Sequence, residues 1–140
     1  MKATLDPRFP TRPERPAVAG WIARAEGRND EALALLRRAA DAEAATEKHP
    51  VTPGVIQPVR EILAELLLEL NEPAKALAEF ELSQRTDPNR LQGLAGAARA
   101  ADLAGDRERA RRYYTELLAL AKSADSDRPE LKQAKAYLGR

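Results

Sequence analysis

Apolar residues recur at intervals of three and four along most of the chain, with charged residues between them, and this spacing belongs to helices with one buried face. The pattern predicts helices over residues 17–27, 29–47, 57–70, 73–86, 90–104, 106–123 and 127–138. No run alternates with the period of a strand. The punctuation between the helices is equally regular. Gly27, Asn71 and Gly105 stand where three of the predicted helices stop, and glycine and asparagine enter the left-handed conformation of a helix end at least cost. Asp30, Pro73 and Asp106 follow each of them, suited by charge or by a missing N–H to the first turn of a new helix.

These positions form an internal repeat. Asn71, Ala76 and Phe80 recur as Gly105, Ala110 and Tyr114, each displaced by 34 residues. Gly27, Ala32 and Leu36 repeat the order again but stand 44 residues before the second copy, so about ten residues are inserted near 47–56. In each copy a small residue, Ala32, Ala76 or Ala110, occupies the point where two helices cross, and Leu36, Phe80 or Tyr114 fills the space one turn later.

The grammar resembles the tetratricopeptide repeat. Residues 57–90 match a full unit through Ala64, Asn71, Ala76, Phe80, Ser83 and Pro88. Residues 91–122 repeat it with Ala98, Gly105, Ala110, Tyr114 and Leu117. Residues 13–46 give a weaker match with Gly20, Gly27, Ala32, Leu36 and Ala39. The segments GRNDEALALL and LNEPAKALAEF also resemble the C-terminal repeats of longer bacterial tetratricopeptide proteins. Departures from the family pattern are Arg60 and Leu94 where tryptophan is frequent, Leu67 and Ala101 where tyrosine is frequent, and the insertion. The fold expected from this resemblance is all-α, a right-handed α-solenoid of three helix pairs plus a C-terminal capping helix. Asp127 with Glu130 three residues on suits a capping box for that last helix, and Leu131, Ala134 and Leu138 would be its buried side.

Residues 1–16 differ from the rest. Pro7, Pro10, Pro13 and Pro16 bias their neighbours towards extended backbone, so the segment reads as an arm or linker ahead of one repeat domain over 17–140.

The resemblance implies a concave face lined by the first helix of each pair. Carried over by repeat register, Trp21, Glu65 and Arg99 form one row across it. Arg24, Leu68 and Asp102 form the next, and Glu61 lies one turn before Glu65. Trp21 is the only tryptophan, suited to anchoring a ligand or to packing on the insertion or the arm. Glu61, Glu65 and Glu69 share a helix side at four-residue spacing, a mild repulsion that a basic partner or neighbouring arginines would relieve. A clamp for a partner's C-terminal carboxylate is disfavoured, because the corresponding positions hold Ala17, Trp21, Glu61 and Glu65 instead of basic and amide donors.

Composition removes other classes. With 23 basic and 22 acidic residues there is no net field to select nucleic acid or a lipid surface, and the absence of cysteine removes disulfides and thiolate chemistry. Arg107, Arg109, Arg111 and Arg112 are interrupted by Glu108 and Glu116, which suits a solvated convex face better than a nucleic-acid stripe. Tyr113 and Tyr114 are adjacent, so one is expected in the core and the other at the rim, with Tyr114 inside. His49, within HPVTPG, lacks the three or four ligands of a metal site. No nucleophile has a base beside it, so neither catalysis nor a cofactor is expected. No apolar run approaches a membrane span or a secretory signal, which leaves a cytoplasmic location as the default. The expectation is therefore a scaffold that binds a protein or peptide in its concave groove through Trp21, Arg24, Glu61, Glu65, Arg99 and Asp102. The alternative is a structural repeat segment of a longer protein with no ligand of its own. Oligomeric state is open.

Overall fold

The computed structural model describes residues 14–46, 56–124 and 127–139. Among them are seven helices and no strand: α1 (Glu14–Ala25), α2 (Asn29–Ala44), α3 (Val59–Glu69), α4 (Pro73–Thr86), α5 (Leu91–Leu103), α6 (Arg107–Leu120) and α7 (Pro129–Leu138). They make an all-α helical repeat of three helix pairs and a closing helix. The chain divides after Val59 into two compact units. The residues around His49, and most of the insertion, lie outside the described residues.

In the first unit α1 packs on α2. Their crossing is close because position 20 is glycine: a Cβ there would lie 2.8 Å from Leu36 Cγ. Around Gly20 the buried residues are small, Ala17 and Ala23 from α1 and Ala32, Ala39 and Ala40 from α2, with Leu36 the one bulky side chain among them. The helix begins three residues earlier than the sequence pattern predicts. Pro16 falls within its first turn, where the missing N–H would have had no intrahelical partner in any case.

The turn between paired helices is built the same way three times. Gly27, Asn71 and Gly105 take φ values of 76°, 60° and 80°. At each, the next residue's N–H reaches back to a carbonyl five residues earlier: Arg28 to Ala23 at 2.8 Å, Glu72 to Leu67 at 2.8 Å, and Asp106 to Ala101 at 2.9 Å. This is the Schellman arrangement, which satisfies the last carbonyls of the first helix while reversing the chain. Of the three helices that follow, only α6 gains a side-chain cap, the Asp106 carboxylate accepting from the Arg109 N–H at 3.0 Å. Pro73 opens α4 as expected.

The second unit runs from Arg60. Its α5 packs against both α4 and α6, and α6 against α7. Leu63, Leu66, Leu67, Leu77, Phe80, Leu94, Tyr114, Leu117 and Leu131 are all buried. Each such side chain contributes about 1.5 to 3 kcal/mol relative to exposure. Ala76 and Ala110 are fully buried at their crossings. Arg60, which replaces a frequent tryptophan, is half-buried and donates to Glu79 on α4 at 2.7 Å. An ion pair thus links α3 to α4 at that position.

Two expectations are corrected here. Tyr113 is not at the rim: it is 7% exposed, and Tyr114 is 1% exposed. The two rings leave α6 in different directions, as neighbouring helical residues must, but both sides are covered. Tyr114 stacks on Tyr137 of α7 with ring centroids 4.7 Å apart. Tyr113 is roofed by the Arg112 guanidinium, 4.7 Å from its ring centroid, and its hydroxyl donates to Glu81 of α4 at 2.8 Å. The second correction concerns α7. Its N-cap is Arg128, with Pro129 in the first turn and no side-chain cap. Asp127 stands outside the helix, almost fully exposed, 3.7 Å from Lys132 Nζ. The proline fixes the start of the helix one residue past the geometry a capping box requires.

Candidate functional site

A groove of about 290 Å³ opens in the second unit. Its floor is apolar, made by Leu68, Phe80, Ala95 and Gly96. Polar side chains rise from three helices around it: Glu65 and Glu69 from α3, Gln92 and Arg99 from α5, Glu130 and Gln133 from α7.

The floor exists because of a glycine. Position 96 is where α5 passes over Phe80, and a Cβ added there would collide with ring carbons Cε1 and Cζ. Glycine inside a helix costs about 1 kcal/mol relative to alanine, so its presence marks a backbone that must come close to its neighbour. Three residues earlier Gly93 has the same role: a Cβ would lie 2.7 Å from Glu61 Oε1 and collide with Gln84 Nε2. The two glycines together let α5 settle onto α3 and α4, which brings Gln92, Ala95 and Arg99 down to the groove.

The far wall comes from the closing helix. Leu131 and Ala134 anchor α7 in the core, and the neighbouring positions Glu130 and Gln133 then face the groove. Gln92 Nε2 donates to Glu130 Oε1 at 3.2 Å, joining α5 to α7 across one end. The sequence pattern gives Gln133 only as part of a polar helix side and Glu130 only as a cap partner. The spacing Glu130–Gln133 beside Leu131–Ala134 was the available signal, since a helix closing a core must also present an edge.

The expected site residues fall in several places. Glu65 and Arg99 line the same groove, as does Leu68. Asp102 is exposed on α5 one turn beyond Arg99. Trp21 and Arg24 belong to the first unit, where Trp21 is 45% exposed and the Arg24 guanidinium carbon lies 5.4 Å from its ring centroid, a cation–π contact. Glu61 is not an outward groove residue. It is 1% exposed, beneath the start of α5, with Oε1 accepting from Arg90 Nε at 3.0 Å. Repeat register placed it on the face of the first helices, but at this turn α3 is covered by the N-terminal end of α5, which Gly93 allows to descend. Burial pushes the Glu61 carboxyl above the ordinary carboxylate range, and the Arg90 hydrogen bond only partly opposes it.

On the other side of the unit, Arg109 bridges Asp106 and Glu81, with Nε 2.6 Å from Asp106 Oδ2 and Nη1 3.3 Å from Glu81 Oε1. Arg112 Nη2 donates to the Tyr113 hydroxyl at 3.0 Å. These arginines are therefore engaged in tying α6 to α4. Among the described residues no group of three or more His, Asp and Glu side chains is placed to hold a metal ion, and no helix is long and apolar enough to cross a membrane.

No protein-family profile matches the chain, and no curated protein matches it by sequence. Solved structures do. The first TPR of Spaghetti (RPAP3), bound to the HSP90 peptide SRMEEVD, superposes with a TM-score of 0.66 at 17% identity, over 92% of this chain and 94% of that one. PcrH from Pseudomonas aeruginosa superposes with a TM-score of 0.68 at 17% identity, over 97% and 93%. At that identity the likeness speaks to the backbone alone. With the thrice-repeated Schellman turn, the small residues at the helix crossings and the closing helix, it establishes the fold of this chain as that of the tetratricopeptide repeats.

Proposed function

We propose that this protein is a protein-binding module and that the groove between α3, α5 and α7 holds a short segment of a protein partner. The observation that carries the reading is the groove's make-up: an apolar floor of Leu68, Phe80, Ala95 and Gly96 inside a polar rim drawn from three helices. Such a surface seats one or two apolar side chains and satisfies the polar groups beside them, as segment-recognising grooves do. The fold supports the same reading, since the RPAP3 domain of like backbone carries a bound HSP90 peptide. The chemistry differs from what that acidic peptide requires. Glu65, Glu69 and Glu130 stand on the walls against Arg99 as the one cation among the lining residues. A partner segment here is polar or amphipathic and not acidic. Trp21 and Asp102, both exposed, and the part-buried Arg24 join the proposal as groups on the first helices of their pairs.

The test uses affinity capture on the whole protein beside two variants, Arg99→Glu and Ala95→Trp, each checked for unchanged helicity. The captured partner's binding segment is then mapped with overlapping peptides, and its affinity measured by calorimetry. The expected result is a loss of binding of at least about tenfold in both variants, the size that removal of a central contact produces. Full affinity in both would overturn the reading.

A second reading, a structural segment of a longer solenoid, is favoured by one observation. Val18, Trp21 and Ile22 on α1 are 57%, 45% and 52% exposed. Their spacing makes an apolar helix face of the kind that a further helix covers. Protection of this face from solvent in a longer gene product, with the groove empty, would favour it.

A further inference from the structure

We propose that the part-buried Glu61–Arg90 pair is a positioning device: it sets the register of α5 against α3 and thereby the width of the groove. The proposal gives the groove reading a mechanical basis, yet its geometry stands without any ligand.

Glu61 lies on α3, one turn before Glu65 and two before the groove residues Leu68 and Glu69. Arg90 is the N-cap residue of α5, two positions before Gln92. The 3.0 Å contact between them therefore joins the two helices that form opposite sides of the groove floor, at the end nearest both. Glu61 is 1% exposed and the Arg90 side chain 28%, so the contact is shielded on the carboxylate side. Position 93 has no side chain, and any Cβ there would press on Glu61 and Gln84. The backbone of α5 thus rests on the pair and its surroundings without a spacer.

The same cluster is poorly arranged for stability. Glu61 Oε2, Gln84 Nε2 and Ser83 Oγ are shut away from solvent without a hydrogen-bond partner. Buried polar atoms left in that state are unfavourable, and a buried ion pair is often no more stabilising than apolar residues of the same volume. What such a pair supplies better than an apolar contact is direction. Leucine or methionine on leucine tolerates sliding, whereas a guanidinium N–H on a carboxylate oxygen holds only within a narrow range of distance and angle. A polar pair placed at a helix junction in spite of its cost is the pattern of a registry contact.

The chain has no cysteine, so two spin labels can be placed without background, at Glu69→Cys on α3 and Leu103→Cys on α5. The interlabel distance distribution is read by pulsed electron resonance in the labelled parent, in Glu61→Met/Arg90→Met and in Glu61→Gln. The double methionine variant is expected to melt at or above the parent temperature while its distribution shifts or broadens beyond the parent's own width. Glu61→Gln keeps an oxygen for Arg90 and is expected to restore the parent distribution. A purely structural role would move the melting temperature and leave the distances alone. A double variant whose distribution superimposes on the parent would therefore overturn the proposal. If that variant does not fold, Glu61→Gln/Arg90→Gln decides by the same measure, a superimposed distribution again counting against the pair. No partner is present in these measurements, so their failure leaves the binding reading to be judged by Arg99→Glu and Ala95→Trp.

Discussion

At the scale of single residues, the buried carboxyl of Glu61 makes a pH-dependent contribution whose sign follows from its environment. Desolvation raises its pKa above the unfolded value, with Arg90 opposing and Asp87 adding to the rise. A carboxyl of that kind contributes stability fully below its unfolded pKa, and loses it as pH rises through the folded one. At neutral pH the charge is therefore a net cost. Glu61→Gln is expected to be at least as stable as the parent at neutral pH, and its advantage to shrink as pH falls through the raised pKa of the folded carboxyl, where the parent's side chain also becomes neutral. Thermal melts across that range check it, and an advantage that grows on acidification would contradict the sign. Gly96 offers a second test. A methyl there meets the Phe80 ring, so Gly96→Ala should lose about 1 to 3 kcal/mol by overpacking in spite of alanine's better helix propensity. Denaturant titration reads the loss, and a stabilised variant would show that the ring is free to move aside.

At the scale of the helix, what was legible in the sequence was what the backbone decides locally. Gly27, Asn71 and Gly105 announce their left-handed turns because the conformation itself excludes most other residues. Ala76 and Ala110, both fully buried, mark where a small residue suits a close helix approach. Contacts made across the fold were not legible. Tyr113 is covered by the Arg112 guanidinium over its ring and tied down by Glu81, 32 residues away, which accepts its hydroxyl hydrogen. Glu61 is buried only because a glycine on another helix lets α5 descend. The closing helix shows both cases. Its apolar positions are readable, but its groove-facing edge depends on the Tyr114–Tyr137 stack and the Gln92–Glu130 bond that fix its rotation. Burial holds the Tyr114 phenol up to about 12, as a ring sealed by α7 should be. Deleting α7 from residue 127 onward is accordingly expected to bring that phenol down towards its ordinary pKa near 10, measured by ultraviolet titration, and to promote association through the exposed side of α6. A truncated chain that keeps the high phenol pKa and stays monomeric would remove α7 from the core.

For the molecule as a whole, the two units differ in what holds each together. Among the described residues of the first, the buried hydrophobic side chains are alanines apart from Leu36 and Val59. The second buries leucines at five positions from Leu63 to Leu94, Phe80, both Tyr113 and Tyr114, and Leu117 and Leu131 beyond them. Alanine burial contributes little transfer free energy, since one methyl accounts for about 0.8 kcal/mol, whereas a buried leucine or aromatic ring adds two to three times that. Among the described residues, α1 and α2 bury too little apolar side chain to give much margin over the entropy of ordering their chain, and local opening follows the density of buried apolar contact. The first unit should therefore open at lower denaturant than the second. Trp21, the only tryptophan, reports on the first unit, while near-ultraviolet dichroism from the Tyr113, Tyr114 and Tyr137 rings reports on the second. The expected outcome of a urea titration is a tryptophan fluorescence transition whose midpoint precedes that of the tyrosine signal. Hydrogen exchange should agree, with amides of α1 and α2 exchanging faster than those of α4, α5 and α6. Leu63→Ala should then lower the stability read by the tyrosine signal by about 2 to 5 kcal/mol, the cost of a core truncation, and so move its midpoint down while leaving the tryptophan transition in place. Superimposable transitions for both probes, in the parent and in this variant, would show one cooperative fold and would contradict the division of stability argued from the two cores.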